Sequence, residues 1–177
     1  MKSYEFTYGP SKDKITFQKN PSLFGVKLHS GTSIEALKGQ LGEELKVNLV
    51  GMLGGFQILQ AIDSQGADKA IDKIGERDAL VKTTHVYNTP GEDNNPFVPT
   101  GAIYVKFKEG TSTKVCLDLF KKYDLNKGKQ RSERTFVAQI TDESLNPLKV
   151  TTLLQKEDCI EIAEPDLASK PVRFTIS

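Results

Sequence analysis

Tryptophan is absent from this sequence, and cysteine, methionine and histidine occur only twice each. Two cysteines, Cys116 and Cys159, are too few and too far apart for a disulfide framework or a structural metal site. They are expected as reduced thiols in the core, the alternative being one disulfide. Two histidines, His29 and His85, leave little room for a metal-binding or acid–base constellation, and both are read as sheet residues. No metal or other cofactor is expected. A dominant charge is missing too: 24 Lys and Arg against 23 Asp and Glu give +1, so no overall field exists to hold a nucleic-acid backbone or an anionic membrane. No apolar run is long enough to cross a bilayer, and Met1-Lys2-Ser3-Tyr4-Glu5-Phe6 lacks the apolar stretch of a secretory signal. The compartment stays open: cytoplasmic on that reading, extracellular or periplasmic if a signal has been removed. At 37% hydrophobic and 27% charged residues, what remains is the composition of an ordinary folded protein.

What is present is a repetition. Gly31-Thr32-Ser33 and Gly110-Thr111-Ser112 stand 79 residues apart, as do Asp63 and Asp142. Glu76-Arg77-Asp78-Ala79-Leu80 answers Lys156-Glu157-Asp158-Cys159-Ile160 at nearly the same offset, which points to a duplicated domain of about 70 to 85 residues.

In the second copy Ile103, Val105 and Phe107 alternate with Tyr104, Lys106 and Lys108, the pattern of a half-buried strand. Ser112 caps a helix whose stripe is Cys116, Leu119, Phe120 and Tyr123. A weakly marked strand lies within Asn126 to Arg134, and Phe136 to Ile140 is a clear one. Asn146-Pro147 opens a second helix carrying Val150, Leu153 and Leu154, and Cys159 to Ala163 closes the copy. The first copy runs in parallel: a strand Leu23 to Leu28, a helix capped by Ser33 with Ile34, Leu37 and Leu41, a hairpin of Val47 to Val50 and Phe56 to Ala61 around Gly51 to Gly55, a helix with Ala67, Ala70, Ile71 and Ile74, and a strand Leu80 to Tyr87. Each half is βαββαβ. The fold class expected is α+β, as two tandem ferredoxin-like domains, each a four-stranded antiparallel sheet with two helices on one face. Tyr4 to Tyr8 and Lys14 to Lys19 add an N-terminal hairpin. The domains are then 1–88, a Pro- and Asn-rich linker 89–100, 101–167, and an extended tail 168–177.

Three segments imitate chemistry. Gly31-Thr32-Ser33 resembles the segment around the nucleophile of subtilisin-like proteases, but a serine nucleophile needs a positioned base and an orienting carboxylate. Neither histidine lies in such a context, so Ser33 and Ser112 are read as caps. Gly51-Met52-Leu53-Gly54-Gly55 lacks the Lys-Ser or Lys-Thr of a phosphate loop and joins two strands. Lys127, Lys129, Arg131 and Arg134 form a basic cluster, either a solvated loop or an edge that faces a partner.

Val98 to Ser112, with its Lys106-Phe107-Lys108-Glu109-Gly110 strand exit, read together with Ile160-Glu161-Ile162-Ala163-Glu164-Pro165-Asp166-Leu167, resembles the N-terminal prodomain of bacterial subtilisin-like serine proteases. The likeness covers the second copy, and Lys14 to Leu28 more loosely resembles the lead-in of longer prodomains. It implies a ferredoxin-like fold and a chain that is not itself an enzyme. Its partner would be the catalytic domain of a subtilisin-like protease, in cis or in trans, for which it serves as folding chaperone and product-like inhibitor. It further implies that the open sheet face docks on helices of the protease, with Glu133, Glu161, Glu164 and Asp166 meeting helix N-termini. Residues 168–177, among them Val172, Phe174, Thr175, Ile176 and Ser177, would lie in the substrate cleft as an added strand. The first copy's exit, Thr84 to Pro90, lacks the Glu-Pro-Asp pattern, which places the inhibitory contact on the second. A free-standing inhibitor, or a tandem regulatory module that binds a small ligand, is the alternative.

Overall fold

The computed structural model describes residues 3–9, 12–63, 66–77, 81–91, 95–142, 144 and 146–169. Among them lie nine strands and four α-helices: β1 Ser3–Tyr8, β2 Asp13–Leu28, α1 Ile34–Leu41, β3 Val47–Leu53, β4 Phe56–Ala61, α2 Gly66–Arg77, β5 Val81–Asn88, β6 Phe97–Phe107, α3 Thr113–Lys122, β7 Leu125–Ser132, β8 Thr135–Ile140, α4 Pro147–Leu154 and β9 Ile160–Ser169. The fold is α+β, and the strands belong to one antiparallel sheet rather than to two separate four-stranded ones. β2 has 16 residues and β6 has 11, each longer than the sequence pattern predicts.

The chain clusters into two compact units. One holds Gln18–Val98 with Ala168 and Ser169; the other holds Ser3–Phe17 and Pro99–Leu167. The N-terminal hairpin, assigned from sequence to a first domain 1–88, thus groups with the second unit. The stretch 89–100 is shorter as a connection than expected, because β5 runs to Asn88 and β6 starts at Phe97.

In the first unit the strand order is β3-β4-β2-β5. Apolar residues of both helices, Ile34, Leu37 and Leu41 from α1 and Ala67, Ala70 and Ile74 from α2, close on Phe24, Val26, Val47 and Leu59. Ser33 caps α1 by accepting a hydrogen bond from the Ala36 N–H at 3.1 Å, satisfying one of the orphan donors of the first turn. The β3–β4 turn is Gly54-Gly55, with φ of 57° and 80°. Two consecutive left-handed residues make the tight turn whose twist matches a hairpin, which is why glycine occupies both places. Residues 51–53 therefore stay in the strand instead of joining the loop. The two strands predicted at 14–19 and 23–28 are one, interrupted at Asn20-Pro21-Ser22, where the Asn20 side chain accepts from the N–H groups of Ser22 (3.0 Å) and Leu23 (2.9 Å) and the register with β5 shifts.

In the second unit the order is β7-β8-β6-β9. Ile103, Val105 and Phe107 of β6 and Phe136 and Ala138 of β8 point to one face. There they meet Cys116, Leu119 and Phe120 of α3 and Val150 and Leu154 of α4. Phe107, Phe120 and Phe136 pack edge to face around one another, with ring centres 5.4–5.8 Å apart, the geometry that ring quadrupoles favour. Ser112 caps α3 through the Val115 N–H (3.3 Å), and Asn146 caps α4 through the Leu148 N–H (2.9 Å) with Pro147 in the first turn. At Gly128, in β7, φ is +60° and an added Cβ would stand 2.0 Å from the Val137 carbonyl oxygen. Only glycine fits this bulge.

The third landmark of the repeat, Asp78-Ala79-Leu80, lies outside the described residues.

Candidate functional site

The sheet of the second unit has a helix-covered face and an outward one. In an antiparallel pair, opposed residues share a face, so the register Ala102↔Gln139, Tyr104↔Val137 and Lys106↔Thr135 sets these six side chains on the side away from Ile103, Val105 and Phe107. Tyr104 is the large aromatic there, 37% exposed. β9 lies antiparallel to β6: the Lys108 N–H donates to the Cys159 carbonyl at 2.9 Å, Lys106 meets Glu161, and Thr100 meets Asp166. Among the described residues β6 is the strand that β9 pairs with. An edge position is where Pro165 can sit inside a strand, since its missing N–H takes no bond from the ladder.

The four acids singled out in the sequence prove to do different jobs. Glu161 stands 2.6 Å from the Lys106 ammonium and 3.6 Å from the Arg134 guanidinium. Arg134 in turn donates to the Phe107 carbonyl at 3.1 Å. The Lys106 hydrogen bond, followed by the charges of Lys106 and Arg134, holds the Glu161 carboxyl below the usual carboxylate range. Glu164 accepts from the Gly9 N–H at 2.9 Å, and Asp166 accepts from the Thr100 hydroxyl at 2.6 Å. Glu133 lies exposed in the turn between β7 and β8. Glu161, Glu164 and Asp166 thus each tie β9 to a neighbouring segment, while Glu133 and Asp166 are the two that are exposed at the border of the sheet. Val172, Phe174, Thr175, Ile176 and Ser177 lie outside the described residues.

Two further contributors carry no sequence signal. Gln155, just after α4, brackets Thr7 as a neighbouring strand would: its Oε1 accepts from the Thr7 N–H at 3.1 Å and its Nε2 donates to the Thr7 carbonyl at 2.8 Å. The same Nε2 donates to the Ala163 carbonyl at 2.7 Å, tying β1 to β9. Tyr8 is the other; its phenol is raised by burial and then by the charges of Glu164 and Asp166. A groove of about 340 Å³ runs between these parts, lined by Thr7, Lys12, Lys108, Gln155, Glu161 and Glu164 among others.

Ser33 and Ser112 are occupied as caps. His29 is exposed after β2, and His85 stands 3.4 Å from Asp68 beside α2. Cys116 and Cys159 are free thiols, both raised by burial first. The basic cluster is not a loop: Lys127, Lys129 and Arg131 lie on β7, exposed along the edge of the sheet. Among the described residues no group of three His, Cys, Asp or Glu side chains is placed to hold a metal ion, and no helix is long and apolar enough to cross a membrane.

No protein-family model, curated protein or solved structure matches the chain.

Proposed function

We propose that the chain is the prodomain of a subtilisin-like serine protease, non-catalytic, assisting the protease to fold and then inhibiting it as a bound product. On this reading each unit is a ferredoxin-like domain, and the second is the docking module. The observation that carries it is the second unit's division into faces. Both helices pack on the Phe107 side, among the described residues none of the second unit's helices packs on the Tyr104 side, and β9 leaves the unit in extended form at Leu167. A bare sheet face bordered by acids suits the N-terminal ends of surface helices on a partner, where unpaired N–H groups and the helix dipole favour negative charge. Glu133 and Asp166, being exposed, are the acids assigned to that contact; Glu161 and Glu164 keep the face in shape. On this reading the residues after β9 bind a substrate cleft as an added strand, where main-chain pairing supplies affinity and Val172, Phe174, Thr175, Ile176 and Ser177 supply the side chains to be read.

The test is inhibition of a subtilisin-like protease by the purified full chain, used whole because residues 3–17 belong to the second unit. Slow, tight-binding inhibition that weakens when residues 170–177 are removed is the expected result. Rapid degradation of the chain with no delay in turnover of a reporter peptide would sink the proposal.

A further inference from the structure

The first unit presents a second surface that the prodomain reading does not use. β3 ends the strand order of that unit, and among the described residues no strand pairs with its outer edge. Its sequence, Val47-Asn48-Leu49-Val50-Gly51-Met52-Leu53, contains no charged residue. Leu49, Val50 and Met52 are 50%, 44% and 67% exposed. Exposed, uncharged edges are what folded proteins ordinarily avoid, because the unpaired N–H and C=O groups invite another strand. The contrast within the same molecule is direct. On β7 the edge carries Lys127, Lys129 and Arg131, and two register shifts against β8 disrupt it, both being devices that deter pairing.

The pairing with β4 fixes which way each β3 residue faces. Val47, Leu49 and Met52 oppose Ala61, Leu59 and Gln57; Leu59 and Ala61 belong to the helix-covered core. Asn48, Gly51 and Leu53 oppose Gln60, Ile58 and Phe56 on the other face, and Val50 has no opposed residue at the bulge. Two β3 strands brought together antiparallel by a two-fold axis must match faces across the junction. The register that does so sets Leu49 opposite the second copy's Met52, and Asn48 opposite its Leu53. Two apolar cross-strand pairs then form on the helix side. Lys46, the nearest charge before the strand, falls opposite Gly55 of the second copy, so like charges do not meet. The same operation on β7 would gather six cations from the two copies.

We infer that β3 is a self-association edge, through which two copies of this chain pair antiparallel with Leu49 against Met52. A seven-residue strand is small beside the roughly 1,600 Å² of a standard stable interface, so the dimer forms reversibly as concentration rises.

Sedimentation velocity of the full chain over roughly micromolar to millimolar concentration tests this. A monomer–dimer equilibrium is expected, weakened at least tenfold by Leu49→Lys and by Met52→Glu, and recovered by the double variant, in which each lysine faces a glutamate across the two-fold axis. Hydrogen exchange of the unmodified chain supplies a reading free of variants: the amides of β3 slow as concentration rises, and those of β7 do not. A monomer at every concentration would overturn the inference, as would a double variant no better than the single ones. Dimerisation only after removal of residues 170–177 would also overturn it, assigning the edge to the chain's own end. None of these results bears on protease inhibition, which is measured with dilute chain.

Discussion

The two units share one run of elements, βαββαβ from β2 to β5 and from β6 to β9, and are finished differently. The core of the first is aliphatic, built on Leu37, Leu41, Leu59, Val26 and small alanines around a single phenylalanine, Phe24. The core of the second is organised by three mutually packed phenylalanine rings. Their edges diverge further: β3 is apolar and uncharged, β7 basic and bulged. Their exits diverge too, since β9 is pinned by Glu161, Glu164 and Asp166. One strand order can therefore carry two differently finished edges, because the strand-and-helix pattern leaves the edges, turns and outward face free to vary.

The sharpest test of that contrast is Phe136→Ala. Removing one ring of the three leaves a cavity and should cost about 3–5 kcal/mol, whereas Leu59→Ala in the first unit should cost about 2–5 kcal/mol. Urea unfolding followed by hydrogen exchange distinguishes the units: each substitution should speed exchange in its own core far more than in the other. Next in size is Gln155→Ala. It deletes three hydrogen bonds that tie β1 to β9, a loss of about 3 kcal/mol at the usual net value of about 1 kcal/mol per hydrogen bond. Exchange at Thr7 should accelerate while the core of the first unit stays unchanged.

The caps test what the units have in common. Ser33→Ala and Ser112→Ala should each cost about 1 kcal/mol, measured as a fall in the urea midpoint. Equal losses would support one local role for the repeated Gly-Thr-Ser, while a loss confined to one unit would break the equivalence. The smallest effect concerns acid. Glu161 and Glu157 are held below the usual carboxylate range, the latter by hydrogen bonds from Lys122 and then Tyr123. A lowered carboxyl stabilises the fold above its unfolded pKa, and that contribution fades as pH falls through the folded value. Glu161→Gln should thus be less stable than the parent at neutral pH, and the gap should close as acidification passes below the usual carboxylate range. Both carboxylates belong to the second unit, so the pH dependence should be read there.

Much of the element order was legible because it rests on local signals. The alternation of Ile103, Val105 and Phe107 marks β6, the Cys116-Leu119-Phe120 stripe marks α3, and the serine and asparagine caps mark helix starts. Strand lengths were not legible. β2 runs through Asn20-Pro21-Ser22 because the Asn20 side chain satisfies two backbone N–H groups that a break would expose, and β9 runs through Pro165 because an edge tolerates a residue without a donor. β7 was only weakly marked, since seven of its eight residues are exposed and no alternation survives. At the candidate site, the acids were visible as residues but not as partners. Lys106 and Glu161 lie on strands far apart in sequence, and Gln155 looks like any polar residue after a helix.

The most direct measurement is the hydrogen-exchange footprint of a subtilisin-like protease on the full chain. The account predicts protection along β6, β8 and β9 of the second unit, at Tyr104, Val137 and Asp166, with β3 unaffected. Protection centred on the first unit, or none at saturating protease, would contradict it.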